Sequence, residues 1–328
     1  MWYTVFNIEL KGAFALDFLW FLSNLRTELF DKLFLLITAL GEETAFMAVA
    51  IIVFWCVSKK DGYYILSVGF LGTVINQFLK LLVRIERPWV LDKSFNAVED
   101  AIPEATGYSF PSGHTQNSVG TFGALAYNTK RTWLRIIFIA ICVLVPFSRM
   151  YLGVHTPLDV FVSICIALLL IFFVKPLIDK IYENEKHFYI FLGVMVAISA
   201  LYLIYAYNLP FNVVEEYRES GIKNGHTLLG ALLGMMICSP IERRLVRFEV
   251  SGKWYTQIFK CVIGLPLVLG ILEGLKLVLD NLIPIPFLGR TIRYALVVVF
   301  AIVLYPMSFK LFKRLECFIE SKRKKKEA

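Results

Sequence analysis

Along most of the chain, apolar residues gather into windows of about twenty, separated by short polar connections. About twenty apolar residues in a helix match a hydrocarbon core roughly 30 Å thick. The windows are continuous and do not alternate polar with apolar, so they predict transmembrane helices and not strands. Spans are predicted at Thr44–Val57, Tyr63–Val83, Thr115–Asn128, Trp133–Leu152 and Leu158–Val174, then at Phe188–Tyr207, Thr227–Pro240, Tyr255–Leu279 and Thr291–Phe312. The segment Phe6–Leu25 carries Glu9, Lys11 and Asp17, and fits either a tenth span or an amphipathic helix on the surface. Phe30–Leu40 is too short to cross, and Gly41-Glu42-Glu43 interrupts it. The expectation there is a re-entrant or interfacial helix followed by a short span. The fold class expected is all-α, a polytopic transmembrane helical bundle of about nine or ten spans. Its parts are an interfacial or transmembrane segment (1–29), a core (30–176), a four-helix membrane extension (187–312) and a basic tail (313–328).

Composition agrees with this pattern. The 328 residues are 58% hydrophobic and 15% aromatic, with a mean hydropathy of +0.66, against roughly 45–50% apolar residues in soluble domains. The net charge of +8 does not point to nucleic acid, because the lysines and arginines sit in connections and in the tail. Lys59, Lys60, Lys130, Arg131, Arg135, Lys175, Lys180 and Lys186 fall on one side of the predicted membrane, which the positive-inside rule makes cytoplasmic. Arg243, Arg244, Arg247 and Lys253 join them, while Glu215, Glu216 and Glu219 lie in an outer loop. The tail SKRKKKEA is expected in the cytoplasm, where each charge near an anionic surface contributes about 1 kcal/mol. The partners expected are therefore membrane lipids. Six cysteines, at 56, 142, 165, 238, 261 and 317, show no metal-ligand spacing and are expected as free thiols. The opening MWYTVFNIELKG lacks the basic region and cleavage site of a removable signal peptide.

Three polar clusters stand out in this apolar background, and ionisable groups at membrane depth are costly enough to mark sites. The first is Lys80 to Pro88, KLLVRIERP. In a continuous helix Lys80, Arg84 and Arg87 share a face, and Pro88 is expected to end the helix and leave Arg87 at its mouth. Snorkelling to the interface is the plainer account of any one of these cations. The second cluster, Tyr108 to His114, reads YSFPSGH. Ser112 there is an N-cap signal, and Gly113 would admit an anion to the freed N–H groups, with His114 beside it. An ordinary cap and turn is the plainer account of Pro-Ser-Gly taken alone.

The third cluster is FSRMYLGVHTPLD, Phe147 to Asp159. Thr156 can cap a helix beginning at Pro157, which gives Asp159 a capping role. Asp159 is also four residues from His155, close enough to hold one ring nitrogen and leave the other free. Arg149 offers a bidentate phosphate partner and Ser148 a hydroxyl donor. All three clusters fall on the outward side. Together their cations, helix N-terminus and two histidines suit metal-free phosphoryl transfer, in which one imidazole attacks phosphorus and the other protonates the leaving oxygen.

The pattern Lys80-x6-Arg87-Pro88, Pro111-Ser112-Gly113-His114 and Ser148-Arg149-x5-His155-x3-Asp159 resembles the three-part signature of the type 2 phosphatidic acid phosphatase (lipid phosphate phosphatase) superfamily. The resemblance covers roughly Phe30 to Val174. It implies a phosphoric ester hydrolase acting on a phosphorylated lipid, with His155 as nucleophile, Asp159 as its orienting partner and His114 as general acid. Lys80, Arg87, Ser112, Gly113 and Arg149 would bind the phosphate, with no metal and no cofactor. The Leu40-Gly41-Glu42-Glu43 break resembles sphingosine-phosphate phosphatase relatives. The expected setting is a bacterial-type plasma membrane, with the active site extracytoplasmic.

The four-helix second half departs from the minimal family core. Its His226, Glu273, Lys276, Arg290 and Arg293 fit a second pocket or a partner surface, but pairing of Glu273 with Lys276 or Arg293 is the plainer expectation, and His187 is expected in a solvated loop. Two other functions fit parts of the pattern. A lipid phosphotransferase would pass the phosphoryl group to an acceptor hydroxyl. A transporter or scramblase would use the spans but leaves the histidine–aspartate spacing unexplained.

Overall fold

The computed structural model describes residues 13–210 and 213–327, and all regular structure among them is helical. The helices are α1 (Ala13–Ser23), α2 (Glu28–Thr38), α3 (Glu43–Cys56), α4 (Lys59–Val83), α5 (Pro88–Leu91), α6 (Gly113–Asn128) and α7 (Thr132–Tyr151). They continue as α8 (Pro157–Ile181), α9 (Glu185–Tyr207), α10 (Glu215–Ile241), α11 (Trp254–Leu282), α12 (Leu288–Val299), α13 (Tyr305–Met307) and α14 (Phe309–Glu327). Among the described residues, six helical stretches are long and apolar enough to cross a membrane: Lys59–Leu91, Thr132–Tyr151, Pro157–Ile181, Glu185–Tyr207, Trp254–Leu279 and Leu288–Phe318. A seventh is reached if Glu28–Gly41 and Glu43–Cys56, bent by 52° at their junction, count as one span. The predicted spans at 115–128 and 227–240 fall on α6 and α10 but are not among these stretches. Helix α6 has 16 residues, about 24 Å at 1.5 Å per residue, and α10 opens on the charged sequence EEYRESGIK. Of the N-terminal segment, Glu9 and Lys11 lie outside the described residues.

The chain divides into two compact units interleaved in sequence. The first gathers residues up to Met47, Ile65–Lys175 and Ile204–Ile222; the second gathers Ala48–Tyr64, Pro176–Leu203 and residues from Lys223 onward. In the first unit α6 packs on α7, and so does α2. Helix α7 is built inside-out: Ile136, Ile139 and Val143 are exposed, while Val145, Ser148, Arg149 and Tyr151 are buried. Apolar side chains turned outward and polar ones inward suit a lipid surround. The break at Gly41 is a close approach, since a Cβ there would stand 2.8 Å from the His114 carbonyl and 2.9 Å from Val145. The Gly41 carbonyl accepts from Asn117 Nδ2 at 3.3 Å. The interruption read as a membrane break is thus also a seat for the start of α6.

In the second unit Trp55 Nε1 donates to the Ala301 carbonyl at 2.8 Å. Ion pairs join Lys60 to Asp179 (2.8 Å), Arg244 to Glu185 (2.7 Å) and Lys59 to Glu242 (2.5 Å). The six cysteines are free thiols, as expected. The expected pairing of Glu273 is not formed. Arg293 is buried and lies over the Tyr294 ring at 5.4 Å, whereas Glu273 and Lys276 are both exposed, where a pair gains little. His226 Nδ1 stands 2.7 Å from Thr291 Oγ1, and Arg290 donates to Thr227 at 3.1 Å.

Candidate active site

The three clusters meet within the first unit. Two turns and two helix starts bring them together. Helix α7 ends in Gly153, whose φ of +77° is the left-handed conformation glycine adopts without penalty at a helix C-terminus. The turn folds the chain back, so that the N–H groups of Val154 and His155 both point to the Arg149 carbonyl, at 3.1 and 3.3 Å. Helix α8 then opens with a reciprocal cap. Asp159 N donates to Thr156 Oγ1 at 3.4 Å, and Thr156 N donates to Asp159 Oδ2 at 2.8 Å. The same Oδ2 lies 3.4 Å from His155 Nδ1, so one carboxylate both caps α8 and borders the imidazole.

The first cluster departs from the expected geometry. Helix α4 ends at Val83, not at Arg87, and Arg84 has a φ of +58°. Arg87 is extended (φ −68°, ψ 153°) before Pro88, the first residue of α5. Proline at the first helical position demands a non-helical residue before it, so the chain unwinds ahead of Arg87. Lys80, Arg84 and Arg87 therefore do not share a helix face. Arg84 Nε turns back to the Leu81 carbonyl at 2.8 Å, while the extended segment carries Arg87 inward to His155.

Arg87 is anchored by three carbonyls. Nε donates to Gly107 (3.0 Å), Nη1 to Val154 (2.9 Å) and Nη2 to Thr106 (2.9 Å). Its Nη1 also stands 3.0 Å from His155 Nε2. Lys80 Nζ donates to the Tyr108 carbonyl at 2.5 Å. Arg149 Nη1 donates to Thr38 Oγ1 at 2.9 Å, and its Nε and Nη2 are buried without a partner. Lys80, Arg87 and Arg149 are each at most 6% exposed. Buried guanidinium N–H groups left unsatisfied are costly, and an oxyanion between them would satisfy them.

Ser112 caps α6 by accepting from Thr115 N at 3.4 Å, and its own N–H donates to the Asp159 carbonyl at 3.2 Å. Gly113 begins the helix, and a Cβ there would have one neighbour within 4 Å, Asn76 Oδ1 at 4.0 Å. The space over this helix start is open, and the first N–H groups of a helix have no partner within it. His114 follows, with Nε2 buried and unpartnered. His155, in the turn before α8, has its pKa held well below the usual histidine range by burial first, then by the charges of Arg87, Arg149, Lys80 and His114. Its ring is neutral at pH 7.

The PAP2 superfamily model matches residues 61–183, and the model of the PAP2 superfamily phosphatase transmembrane extension matches residues 226–316. Phosphatidylglycerophosphatase B of Bacillus subtilis is 31% identical over 160 residues, 44% of this chain and 73% of that protein. Undecaprenyl-diphosphatase BcrC of the same organism is 34% identical over 137 residues, 38% of this chain and 67% of that protein. The chain belongs to the PAP2 superfamily. A probable sphingosine-1-phosphate phosphatase of Dictyostelium discoideum is 27% identical over 284 residues, 78% of this chain and 67% of its own length. Residues 226–316 of the second half, which departs from the minimal core, match the PAP2 transmembrane extension. The protein is thus an integral membrane phosphatase.

Within this PAP2 site, every residue expected to act lies in the first unit, but Ser148 is turned away. Its hydroxyl donates to the Val145 carbonyl at 2.6 Å, the local bond that serine commonly makes inside a helix, so it does not donate toward a phosphate. Two side chains were missed. Ser109 Oγ donates to Asp159 Oδ2 at 2.6 Å and stands 3.5 Å from His155 Nδ1. Thr38 takes one N–H of Arg149. Ser109 lay inside the quoted YSFPSGH stretch, yet nothing in its spacing singled it out. Thr38 lies 111 residues from Arg149, and no local pattern pairs them.

Proposed function

We propose that the protein hydrolyses the terminal phosphate of a phosphomonoester or diphosphate lipid through a phosphohistidine on His155. The observation that carries this reading is the convergence of three buried cations on a neutral histidine whose Nδ1 is oriented by Asp159. Relatives named for phosphatidylglycerophosphate, undecaprenyl diphosphate and sphingosine-1-phosphate support a lipid phosphate as substrate.

In the first step the lone pair of His155 Nε2 forms a bond to phosphorus as the bond from phosphorus to the lipid oxygen breaks. His114 gives that oxygen a proton, and Asp159 Oδ2 stabilises the charge that develops on the imidazole. Lys80, Arg87, Arg149 and the N–H groups at Gly113 hold the nonbridging oxygens, where charge accumulates. In the second step a water attacks phosphorus, loses its proton to His114 and displaces His155 Nε2. Orthophosphate leaves and both histidines return to their starting state. The scheme draws its charge stabilisation from side chains and backbone N–H groups and uses no metal or cofactor.

The active site is assigned to the extracytoplasmic side and the C-terminus to the cytoplasm. Arg131 precedes α7 and Arg149 lies near its other end, about 27 Å along the axis, so the basic connection and the site are separated by nearly a membrane thickness. The ion pairs of Lys60 with Asp179 and Arg244 with Glu185 support one shared side for the basic connections. In this reading residues 30–176 form the catalytic core, 187–312 the extension and 313–328 the tail. The test is phosphate release by the full chain in detergent from phosphatidic acid, phosphatidylglycerol phosphate, a polyprenyl diphosphate and a sphingoid-base phosphate. Release by the wild type and none by His155→Ala is expected; equal turnover by the two overturns the reading.

A further inference from the structure

We propose that Asn76 is a further phosphate-binding residue of this site, donating its amide to an oxygen seated over Gly113. The inference rests on the phosphate-site reading above and adds a residue outside the three-part signature.

Asn76 lies on α4 one turn before Lys80, and Gly72 lies one turn earlier still, so the three form one stripe of the helix. The stripe faces the start of α6. A Cβ at Gly72 would meet the Gln116 amide, Asn76 Oδ1 borders the open space at Gly113, and Lys80 reaches the carbonyl just ahead of that helix. Asn76 is 1% exposed, and neither its Nδ2 nor its Oδ1 has a hydrogen-bond partner. A buried primary amide with both ends unsatisfied costs stability, and a hydrocarbon side chain of similar size would avoid that cost.

The neighbouring orphans fit the same ligand. His114 Nε2 and the Nε and Nη2 of Arg149 are also buried without partners. Unpartnered polar groups thus come from three elements of the site: Asn76 from α4, beside the start of α6, Arg149 from α7 and His114 from α6. An amide turns about its last bond to present Nδ2 where Oδ1 now stands, and with neither atom engaged the turn breaks no bond. Asn76 would thus supply a neutral donor to a phosphate oxygen that already faces cations.

The experiment uses inorganic phosphate as the probe, read as competitive inhibition of lipid turnover and as ligand-induced thermal stabilisation of the full chain in detergent. Asn76→Leu is expected to keep or raise the thermal midpoint and to weaken phosphate binding by on the order of ten-fold or more, the loss typical of a hydrogen bond to a charged group. Asn76→Asp, which replaces the donor by a carboxylate, is expected to weaken it further. Phosphate binding within two-fold of wild type in Asn76→Leu overturns the proposal, and so does a lowered midpoint in Asn76→Leu and Asn76→Ala with binding unchanged, which would assign Asn76 to packing. The failure of the wider reading looks different. If His155→Ala still turns over lipid while phosphate binding depends on Asn76, the nucleophile assignment falls and the Asn76 assignment stands.

Discussion

Arg87 Nη1 stands 3.0 Å from His155 Nε2, so the most firmly anchored cation of the site borders the proposed nucleophile. The same Nη1 lies 3.5 Å from Nδ1, and Asp159 Oδ2 lies 3.4 Å from Nδ1; in the proposed chemistry Nδ1 carries the proton and Nε2 the lone pair. In the proposed chemistry a phosphate arriving beside this pair meets a guanidinium donor and the attacking nitrogen together. Lysine keeps the charge but cannot reproduce a fork held by Gly107, Thr106 and Val154. Arg87→Lys is expected to lower kcat/KM for lipid phosphate by about 10²- to 10³-fold, the range for losing one oriented oxyanion donor. Steady-state phosphate release checks this, and a loss under three-fold contradicts it.

Ser109 steadies Asp159 and does not contact the substrate in the proposed chemistry. Its 2.6 Å bond to Oδ2 is to a charged acceptor, the kind that contributes about 1.5–3 kcal/mol. Ser109→Ala should lower kcat by on the order of ten-fold and leave KM near wild type. A rise in KM with kcat unchanged would place Ser109 at the phosphate instead.

The depressed pKa of His155 fixes the shape of the acid limb. In the proposed chemistry the neutral ring is the nucleophile, and burial first, then the neighbouring charges, hold its pKa well below the usual histidine range. The kcat/KM for lipid should therefore stay level as pH falls through about 6.5, the ordinary histidine value, and decline only at lower pH. In that same window the unfolded chain takes up the proton and the folded one does not, so this group's contribution to stability falls as pH drops below the ordinary value. A histidine that titrates at the ordinary value in the NMR spectrum of the resting wild type and is missing from that of His155→Ala would contradict the account.

Gly113→Ala separates folding from anion access. A Cβ at this position has room in the protein, with its one neighbour at 4.0 Å, and alanine favours a helix. The variant should fold with an unchanged or higher thermal midpoint, yet raise KM because the methyl group occupies space assigned to the phosphate. Unchanged kinetics in a folded variant would move the phosphate away from the α6 N-terminus.

Much of this site was legible because its chemistry is concentrated in short spacings. His155 and Asp159 are four residues apart, Ser112 to His114 are contiguous, and Thr156-Pro157 announces a helix start. The helices were legible from hydropathy, although α6 and α10 show how a buried or partly polar helix falls short of a simple span criterion. Arg87 was found with the wrong geometry, since a sequence does not say that Arg84 will take a positive φ and end α4 early. Ser109, Thr38 and Asn76 were not found. Each matters through a partner or a gap supplied by a distant segment, and a lone serine, threonine or asparagine carries no spacing that reveals this.

The central claim is that phosphorus becomes bonded to His155. The most direct measurement is rapid-quench trapping of the wild-type chain during turnover of a lipid labelled in its terminal phosphate, followed by mapping of the labelled peptide. The account predicts a protein-bound label that is stable to base and labile to acid, located on the peptide carrying His155 and absent from His155→Ala. A label that maps to another residue, or turnover in His155→Ala at the wild-type rate, would contradict it.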